Sequence, residues 1–364
     1  MSDFENIKTS QESGLAVLLD MDPYVAVCVQ SRIADSRKPE EVKVNAKYLC
    51  DWIDAAVFVN SMEGNVKVVA FPEGCLQGFP DEGLGSMHPD IYYKDVAIDV
   101  PGEFTDMLGE AARRNNTYVL AQARVRLPEF KRYYFNSAFM ISPRGKVVYK
   151  CYKHAVYPAE PSTVPHDVLK KWLKAYGEDS LFPVARTEIG NFGGVICFER
   201  DFPESARGYA LNGAEILYML SGLEPRVARG IWDLQSRSRA LDNTCFVLAP
   251  NCGPFYSDVS MKDWKPGFIC GGRSMIVDYF GGVLAQTLDT QESFVASPIN
   301  IEALRHHRAT SGRFNPLLNL RTELYTGIYK EPLYPANRVP RTRPERERIL
   351  SETKKVLRKK GIIR

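Results

Sequence analysis

Three short segments of this chain carry residues that together could make a hydrolytic nucleophile: an acid at Glu73, an amine at Lys153 and a thiol at Cys197. Glu73 follows V-K-V-V-A-F-P, Lys153 follows G-K-V-V-Y-K-C-Y, and Cys197 follows G-G-V-I. Each preceding run is short, apolar and rich in β-branched residues, so each reads as a buried strand with the reactive residue at its end. Strand ends that converge at one edge would unite a cysteine nucleophile, a carboxylate base and a cationic donor to an oxyanion.

The spacing refines these roles. Cys197 stands on a strand-to-helix turn, before a helix opening near Pro203-Glu204. Backbone N–H groups there favour the thiolate, and the amide of Phe198 is placed as an oxyanion donor. Taken alone, a free cysteine is more often a small buried hydrophobe. The charged run Glu199-Arg200-Asp201 argues against a dry core at this point. Glu73, at the end of a buried strand, is partly desolvated and able to take a proton near neutral pH. Its plainer reading is a loop carboxylate, as that of Lys153 is a solvated edge lysine. Lys146 and Lys150 compete with Lys153, but Lys146 lies in a turn and Lys150 lies further from the strand end. His154, next to Lys153, points to the opposite side of an extended strand, and His306 and His307 lie far downstream. A Cys–His pair is therefore the weaker assignment.

The elements that must hold these residues alternate between strands and helices. Tyr24–Gln30 reads as a buried first strand, and the helix over Pro39–Val59 carries one apolar stripe of Val44, Tyr48, Leu49, Trp52, Ile53 and Ala56. Residues 74–102 read as a long loop punctuated by Gly and Pro. A helix over Phe104–Asn115, a strand over Thr117–Ala123 and a hairpin of Asn136–Ser142 with Lys146–Cys151 follow. His166–Tyr176 reads as a short inserted helix. The second half repeats the pattern: strands at Asn191–Cys197, Glu215–Leu220 and Cys245–Pro250, helices at Glu204–Asn212 and Arg229–Leu241, and a hairpin of Ser274–Val277 with Gly282–Thr287. Residues 302–336 read as loop-rich, with a helical stretch near Leu317–Tyr325. No repeat of fixed period is present, yet two similar halves point to two layered sheets with helices outside.

The composition is that of an ordinary globular protein, with 45% hydrophobic and 25% charged residues among 364. Net charge is +3, unevenly placed: residues 338–364 carry 11 Lys/Arg against 3 Asp/Glu. A basic tail could meet nucleic acid or an anionic membrane, but the simpler expectation is a solvated helix that packs on a neighbouring subunit. The eight cysteines form no C-x-x-C pair and no Cys/His cluster with zinc spacing. Cys28, Cys245 and Cys270 read as buried hydrophobes. The start, Met-Ser-Asp-Phe-Glu, is not a secretory signal, and no apolar run is long enough to span a bilayer. The expected compartment is a reducing cytoplasm.

The chemistry-bearing segments read F-P-E at 71–73, C-Y-K at 151–153 and I-C-F-E-R-D-F-P-E at 196–204, joined by V-P-G-E at 100–103, Asn136-Ser137 and Asn-Gly-Ala-Glu at 212–215. In this order and spacing they resemble the nitrilase superfamily of carbon–nitrogen hydrolases, most of all its aliphatic amidase and formamidase branch. The resemblance extends from about residue 24 to 300. It implies an α/β fold, an α-β-β-α sandwich that pairs with a second subunit. It implies Glu73 as general base, Cys197 as nucleophile, Lys153 as oxyanion stabiliser and Glu160 as a second glutamate of the site. Tyr157 becomes a substrate-facing aromatic and Glu199 a carboxylate near the scissile nitrogen. No metal or organic cofactor is implied. The chain departs from the family at Tyr152, where Arg is common, at Gly74, where the amidases carry an aromatic residue, and at Asp201.

The expected organisation is an N-terminal arm over 1–23, a hydrolase domain over 24–301 and a C-terminal extension over 302–364 that crosses to a partner. The expected activity is hydrolysis of a small-molecule carboxamide through a cysteine thioester, in a homodimer or larger homo-oligomer that binds neither nucleic acid nor membrane. Two rivals use the same three residues: a nitrilase acting on R–C≡N, and an N-carbamoyl hydrolase, for which Arg226 and Arg229 could receive a substrate carboxylate.

Overall fold

The computed structural model describes residues 21–82, 86–222, 230–263 and 271–364. Most of the expected N-terminal arm, Cys270, Arg226 and Arg229 lie outside them. Two six-stranded sheets form the centre. In the first, β1 (Tyr24–Gln30), β3 (Val66–Ala70) and β4 (Tyr118–Arg126) run parallel, extended by the antiparallel β5 (Tyr134–Ile141) and β6 (Val147–Tyr152) on one side and β14 (Ser293–Ile299) on the other. In the second, β8 (Gly190–Ile196), β9 (Ile216–Leu220) and β10 (Phe246–Ala249) run parallel, flanked by β7 (Ala185–Thr187), β12 (Met275–Val277) and β13 (Val283–Gln286). A two-residue pair, β2 (Ile33–Ala34) with β11 (Phe255–Tyr256), stands apart. The helices are α1 (Pro39–Asn60), α2 (Pro89–Asp95), α3 (Glu103–Arg114), α4 (Leu169–Tyr176), α5 (Pro203–Leu211), α6 (Ile231–Asn243), α7 (Ile301–Thr310), α8 (Thr322–Tyr329) and α9 (Arg343–Lys359).

Side-chain alternation sorts the core into layers. From β1, Tyr24, Ala26 and Cys28 face the second sheet, while Val25, Val27 and Val29 face α1 and α3. β4 divides in the same way, Tyr118 and Leu120 inward and Val119, Ala121 and Ala123 outward. The apolar stripe of α1 meets that outer face through Val42, Ala46, Leu49 and Ile53. On the other side, α5 packs on β8 and α6 on β10. The result is the α-β-β-α sandwich expected from the sequence.

β8 is squeezed from both sides, which explains its glycine pair. A methyl on Gly194 would lie 2.4 Å from Cys151 Sγ in the facing sheet, and one on Gly193 would lie 2.6 Å from Tyr209 Cβ on α5. Close packing leaves no slack for either. Tyr24 Oη donates to the Ile189 carbonyl at 2.6 Å, and Tyr218 Oη donates to the Phe71 carbonyl, stitching the sheets together next to Glu73.

Several elements differ from the sequence reading. The 74–102 loop contains α2. β14 was not expected: Pro298 interrupts its pattern, and a proline is tolerated there because β14 pairs with β1 at an outer position. The stretch read as loop-rich after 302 opens with α7, capped by Asn300 Oδ1 accepting from the Ala303 amide at 2.9 Å. α7 belongs to the body: Arg305 pairs with Glu215 at 2.7 Å, and Arg308 donates to the carbonyls of Ala214 and Thr244, each at 2.7 Å. The tail also does not simply leave for a partner. Residues 334–349 return to their own body, where Ile349 is buried. Only the middle part, around α8, remains exposed along its whole length.

Candidate active site

The topology brings the three reactive residues to one edge. β3 and β4 are parallel, and two antiparallel steps make β6 parallel to both, so Glu73 and Lys153 leave the first sheet on the same side. Cys197 follows β8 in the facing sheet. Lys153 Nζ lies 2.9 Å from Glu73 Oε1 and 2.6 Å from Glu160 Oε2, and all three side chains are nearly fully buried. Asn136 Nδ2 ties the two carboxylates from the other side, donating to Glu73 Oε1 at 2.6 Å and to Glu160 Oε1 at 2.9 Å. Ser162 Oγ completes Glu160 at 2.6 Å.

Behind this set lies a polar layer that the sequence reading missed. Gln122 Nε2 donates to Asn136 Oδ1 at 2.7 Å, and Gln122 Oε1 accepts from the Gly74 amide at 2.7 Å. Arg124 is buried within 3.6 Å of both Glu73 and Glu160 and 2.6 Å of Glu82. Its Nε lies 3.7 Å from Asp81, whose carboxylate accepts from Tyr134 Oη at 3.0 Å. The clue was present in β4, Y-V-L-A-Q-A-R-V-R, where Gln122 and Arg124 interrupt a strand too apolar to face water. Gly74 has its own reason: at φ +79° a side chain is strained, and a Cβ would meet the Phe79 ring at 2.5 Å.

The electrostatics follow from burial. Burial works against the Lys153 ammonium, but Glu160 and Glu73 outweigh it and hold its pKa above the ordinary lysine range. Burial likewise opposes charge on Glu160, yet Lys153 and Arg124 pull its pKa down to about 2. Asp81 and Glu82 go the other way: desolvation raises both, and neighbouring carboxylates add to it. Four carboxylates thus share two cations, with the excess charge relieved on the Asp81–Glu82 side.

Cys197 has φ +52°, in the left-handed region that a non-glycine residue rarely adopts. A 3-10 turn over Cys197–Asp201 follows. The Ser221 hydroxyl donates to its Sγ at 3.5 Å and Arg200 Nη1 at 3.7 Å. The expected bias toward thiolate is not met. Desolvation raises the thiol pKa, the Glu73 charge raises it further, and Lys153 and Arg200 oppose only in part. The resting group is therefore a thiol that needs a base.

The remaining expected residues fall in two places. Tyr157 is 53% exposed, with its ring edge-on to Phe198 at 6.1 Å, and Phe198 meets Phe202 at 5.4 Å, so these aromatics form a rim beside Cys197. Glu199 corrects the sequence reading. Its carboxylate turns inward, Oε2 accepting from the Ile196 amide at 2.7 Å and Oε1 from the His154 amide at 2.8 Å, with His154 Nδ1 also at 2.8 Å. It joins the turn of Cys197 to the strand end of Lys153 rather than facing a substrate. His154 is the partner that the extended-strand argument turned away from the site.

Comparisons with known proteins show the family and the fold. The family model for carbon-nitrogen hydrolases matches residues 28–309. The chain belongs to the carbon-nitrogen hydrolase family. It is accordingly a hydrolase of carbon–nitrogen bonds other than peptide bonds. Curated relatives include the omega-amidase NIT2 of Mus musculus, 26% identical over 69% of this chain and 85% of that one. The probable hydrolase nit2 of Schizosaccharomyces pombe is 29% identical over 53% of this chain and 66% of its own. Among solved structures, a carbon-nitrogen hydrolase from Helicobacter pylori aligns with TM-score 0.62 and 18% identity, covering 84% of this chain and 98% of its own. An amidase from Nesterenkonia sp. AN1, in complex with acrylamide, aligns with TM-score 0.58 and 17% identity over 85% and 98%. These two show the shared sandwich fold.

The Lys153 ammonium sits between two buried carboxylates, a place for a point charge and not for a planar fork. Lys153→Arg and Lys153→Ala should both lower ammonia release from an amide by at least about 10²–10³-fold. Lys153→Ala should also cost about 3–5 kcal/mol of stability in urea melts, since it strips Glu73 and Glu160 of their shared cation. Lys150, which donates to the Val100 carbonyl at 3.0 Å, should tolerate Ala. An active Lys153→Arg beside an inactive Lys150→Ala would reassign the role.

Proposed function

We propose that this chain hydrolyses a small-molecule carboxamide through a thioester on Cys197. The observation that carries the reading is the buried Lys153 bridging Glu73 and Glu160 beside a strained, partly exposed cysteine. Glu73 takes the thiol proton as Sγ attacks the carbonyl carbon. The oxyanion is held by the Lys153 ammonium and the Phe198 amide. Collapse breaks the C–N bond, Glu73 returns the proton to nitrogen, and ammonia or an amine leaves. Water then attacks the thioester, giving its proton to Glu73 or Glu160, and the acid departs as the thiol re-forms. The relatives named omega-amidase support an amide in preference to a nitrile.

One observation favours a second substrate class. Arg200, buried with its guanidinium 3.7 Å from Cys197 Sγ, could receive an anionic group on a substrate, as an N-carbamoyl amino acid would present. Arg226 and Arg229, offered for this in the sequence reading, lie outside the described residues.

Assembly follows from exposed apolar surface. Leu211 on α5, Leu234 and Leu241 on α6, and Leu324, Tyr325 and Ile328 on α8 all face outward. Tyr329 Oη donates to Glu204, which links the end of α8 to the start of α5. We infer that a second copy covers this apolar surface. Cys28, Cys50, Cys75, Cys151, Cys197 and Cys245 are free thiols, which supports the reducing compartment expected from the sequence. No helix among the described residues is long and apolar enough to cross a membrane.

Cys197→Ala should abolish ammonia release across a panel of amides, nitriles and N-carbamoyl compounds, with an unfolding midpoint close to the parent's. Retention of more than a few per cent of activity would refute the nucleophile, and turnover of nitriles alone would refute the amide. Light scattering of the intact chain should give at least a dimer mass. A monodisperse monomer at micromolar concentration would refute the interface.

A further inference from the structure

The C-terminal segment reaches the catalytic centre from outside. Glu160 stands in an irregular stretch between β6 and the 3-10 turn over Pro165–Val168. Its carboxylate is fixed from within by Lys153, Asn136 and Ser162. Its backbone carbonyl is fixed from the other side: Arg346 Nη2, on α9, donates to Glu160 O at 2.9 Å across 186 residues of sequence.

The start of α9 is built to aim that guanidinium. Thr342 and Glu345 form a reciprocal cap, Glu345 Oε2 accepting from the Thr342 amide at 3.1 Å and Thr342 Oγ1 accepting from the Glu345 amide at 3.4 Å. This fixes the first turn, one residue before Arg346. The approach to the helix is pinned to the turn and helix that follow the stretch carrying Glu160. The Asn337 amide donates to the His166 carbonyl at 3.0 Å, and Asn337 Oδ1 accepts from the Lys170 amide at 2.7 Å. Arg341 lies over the Tyr133 ring at 5.0 Å and 3.9 Å from Asp90.

Resting on the thioester reading above, we propose that residues 334–349 act as a strap that sets the position of Glu160, with Arg346 as its positioning residue. Without the guanidinium the Glu160 carbonyl loses its donor, and the position of Glu160 rests on its carboxylate partners and on the backbone bonds from the Glu160 amide to the Tyr157 carbonyl at 2.9 Å and from the Thr163 amide to the Tyr134 carbonyl at 2.9 Å. A carboxylate displaced by a fraction of an ångström no longer bridges to the ammonium or aligns water at the thioester. One guanidinium of the basic tail then has a use inside this chain.

The charged groups facing Glu160 fix the signature of a displacement. Lys153 from β6 and Arg124 from β4 favour its ionised form, while Glu73, Asp81 and Glu82 oppose it. In place, Glu160 stays ionised down to about pH 2. Moved from the two cations, it regains a proton at higher pH, so the low-pH limb of activity shifts upward.

The test compares Arg346→Gln and Arg346→Lys with the parent, full-length, on the best amide found for the parent. Arg346→Gln should lower kcat by about ten-fold with KM within about two-fold, and should raise the low-pH limb of kcat. Arg346→Lys should restore part of kcat. Alkylation of Cys197 by iodoacetamide should proceed at the parent rate in both, showing that the nucleophile is intact. Unchanged kcat and pH profile in Arg346→Gln, with Cys197→Ala inactive, would overturn the strap and leave the thioester reading standing. An active Cys197→Ala would overturn that reading itself. Should Arg346→Gln fail to fold, Asn337→Ala, which removes the acceptor of the Lys170 amide and strains a backbone at φ +61° while leaving Arg346 in place, should show the same loss of kcat and the same limb shift. A parent-like Asn337→Ala would overturn the proposal.

Discussion

The arrangement depends on one buried ammonium. Lys153 lies within hydrogen-bonding distance of both Glu73 and Glu160, and all three side chains are nearly fully buried. Two carboxylates this close would not both stay ionised without a shared cation, and a lysine this deep would not stay charged without them. Neither half is stable alone, so the triad is a single electrostatic unit. The rest of the fold keeps that unit buried and at the same edge as Cys197.

Registration is achieved from two sheets. β3 and β6 deliver Glu73 and Lys153, and β8 delivers Cys197 across the sandwich. The glycine pair in β8 lets the facing sheet and α5 close on the strand that ends at Cys197. Glu199 and His154 then tie that turn to the Lys153 strand end by hydrogen bonds from two backbone amides. Burial and the Glu73 charge both raise the Cys197 thiol pKa, and Lys153 and Arg200 oppose them only in part.

The parts legible in the sequence were those with strong local patterns. Short β-branched runs ended by Glu73, Lys153 and Cys197 marked the strands, and a continuous apolar run marked β1 as buried. Both hairpins were readable because their turns carry Gly. What escaped was set by distant partners. β14 carries a proline and shows its nature only through pairing with β1. Gln122 and Arg124 look like exceptions in an apolar strand until Asn136, Glu160 and Glu82 arrive from elsewhere in the chain. Glu199 follows the nucleophile so closely that a role at the substrate was a natural reading. The amides of Ile196 and His154, one of them 45 residues away, claim it instead. The fate of the basic tail could not be read from its charge, since a single carbonyl at Glu160 receives Arg346.

The central claim is that Cys197 carries the acyl group. Acid quench of a turnover reaction, followed by proteolysis and peptide mass spectrometry, reads this directly. The peptide bearing Cys197 should gain the acyl mass of the amide used, and hydroxylamine should remove it. Acyl mass on a different residue, or an acyl adduct that persists undiminished in Cys197→Ala, would contradict the account.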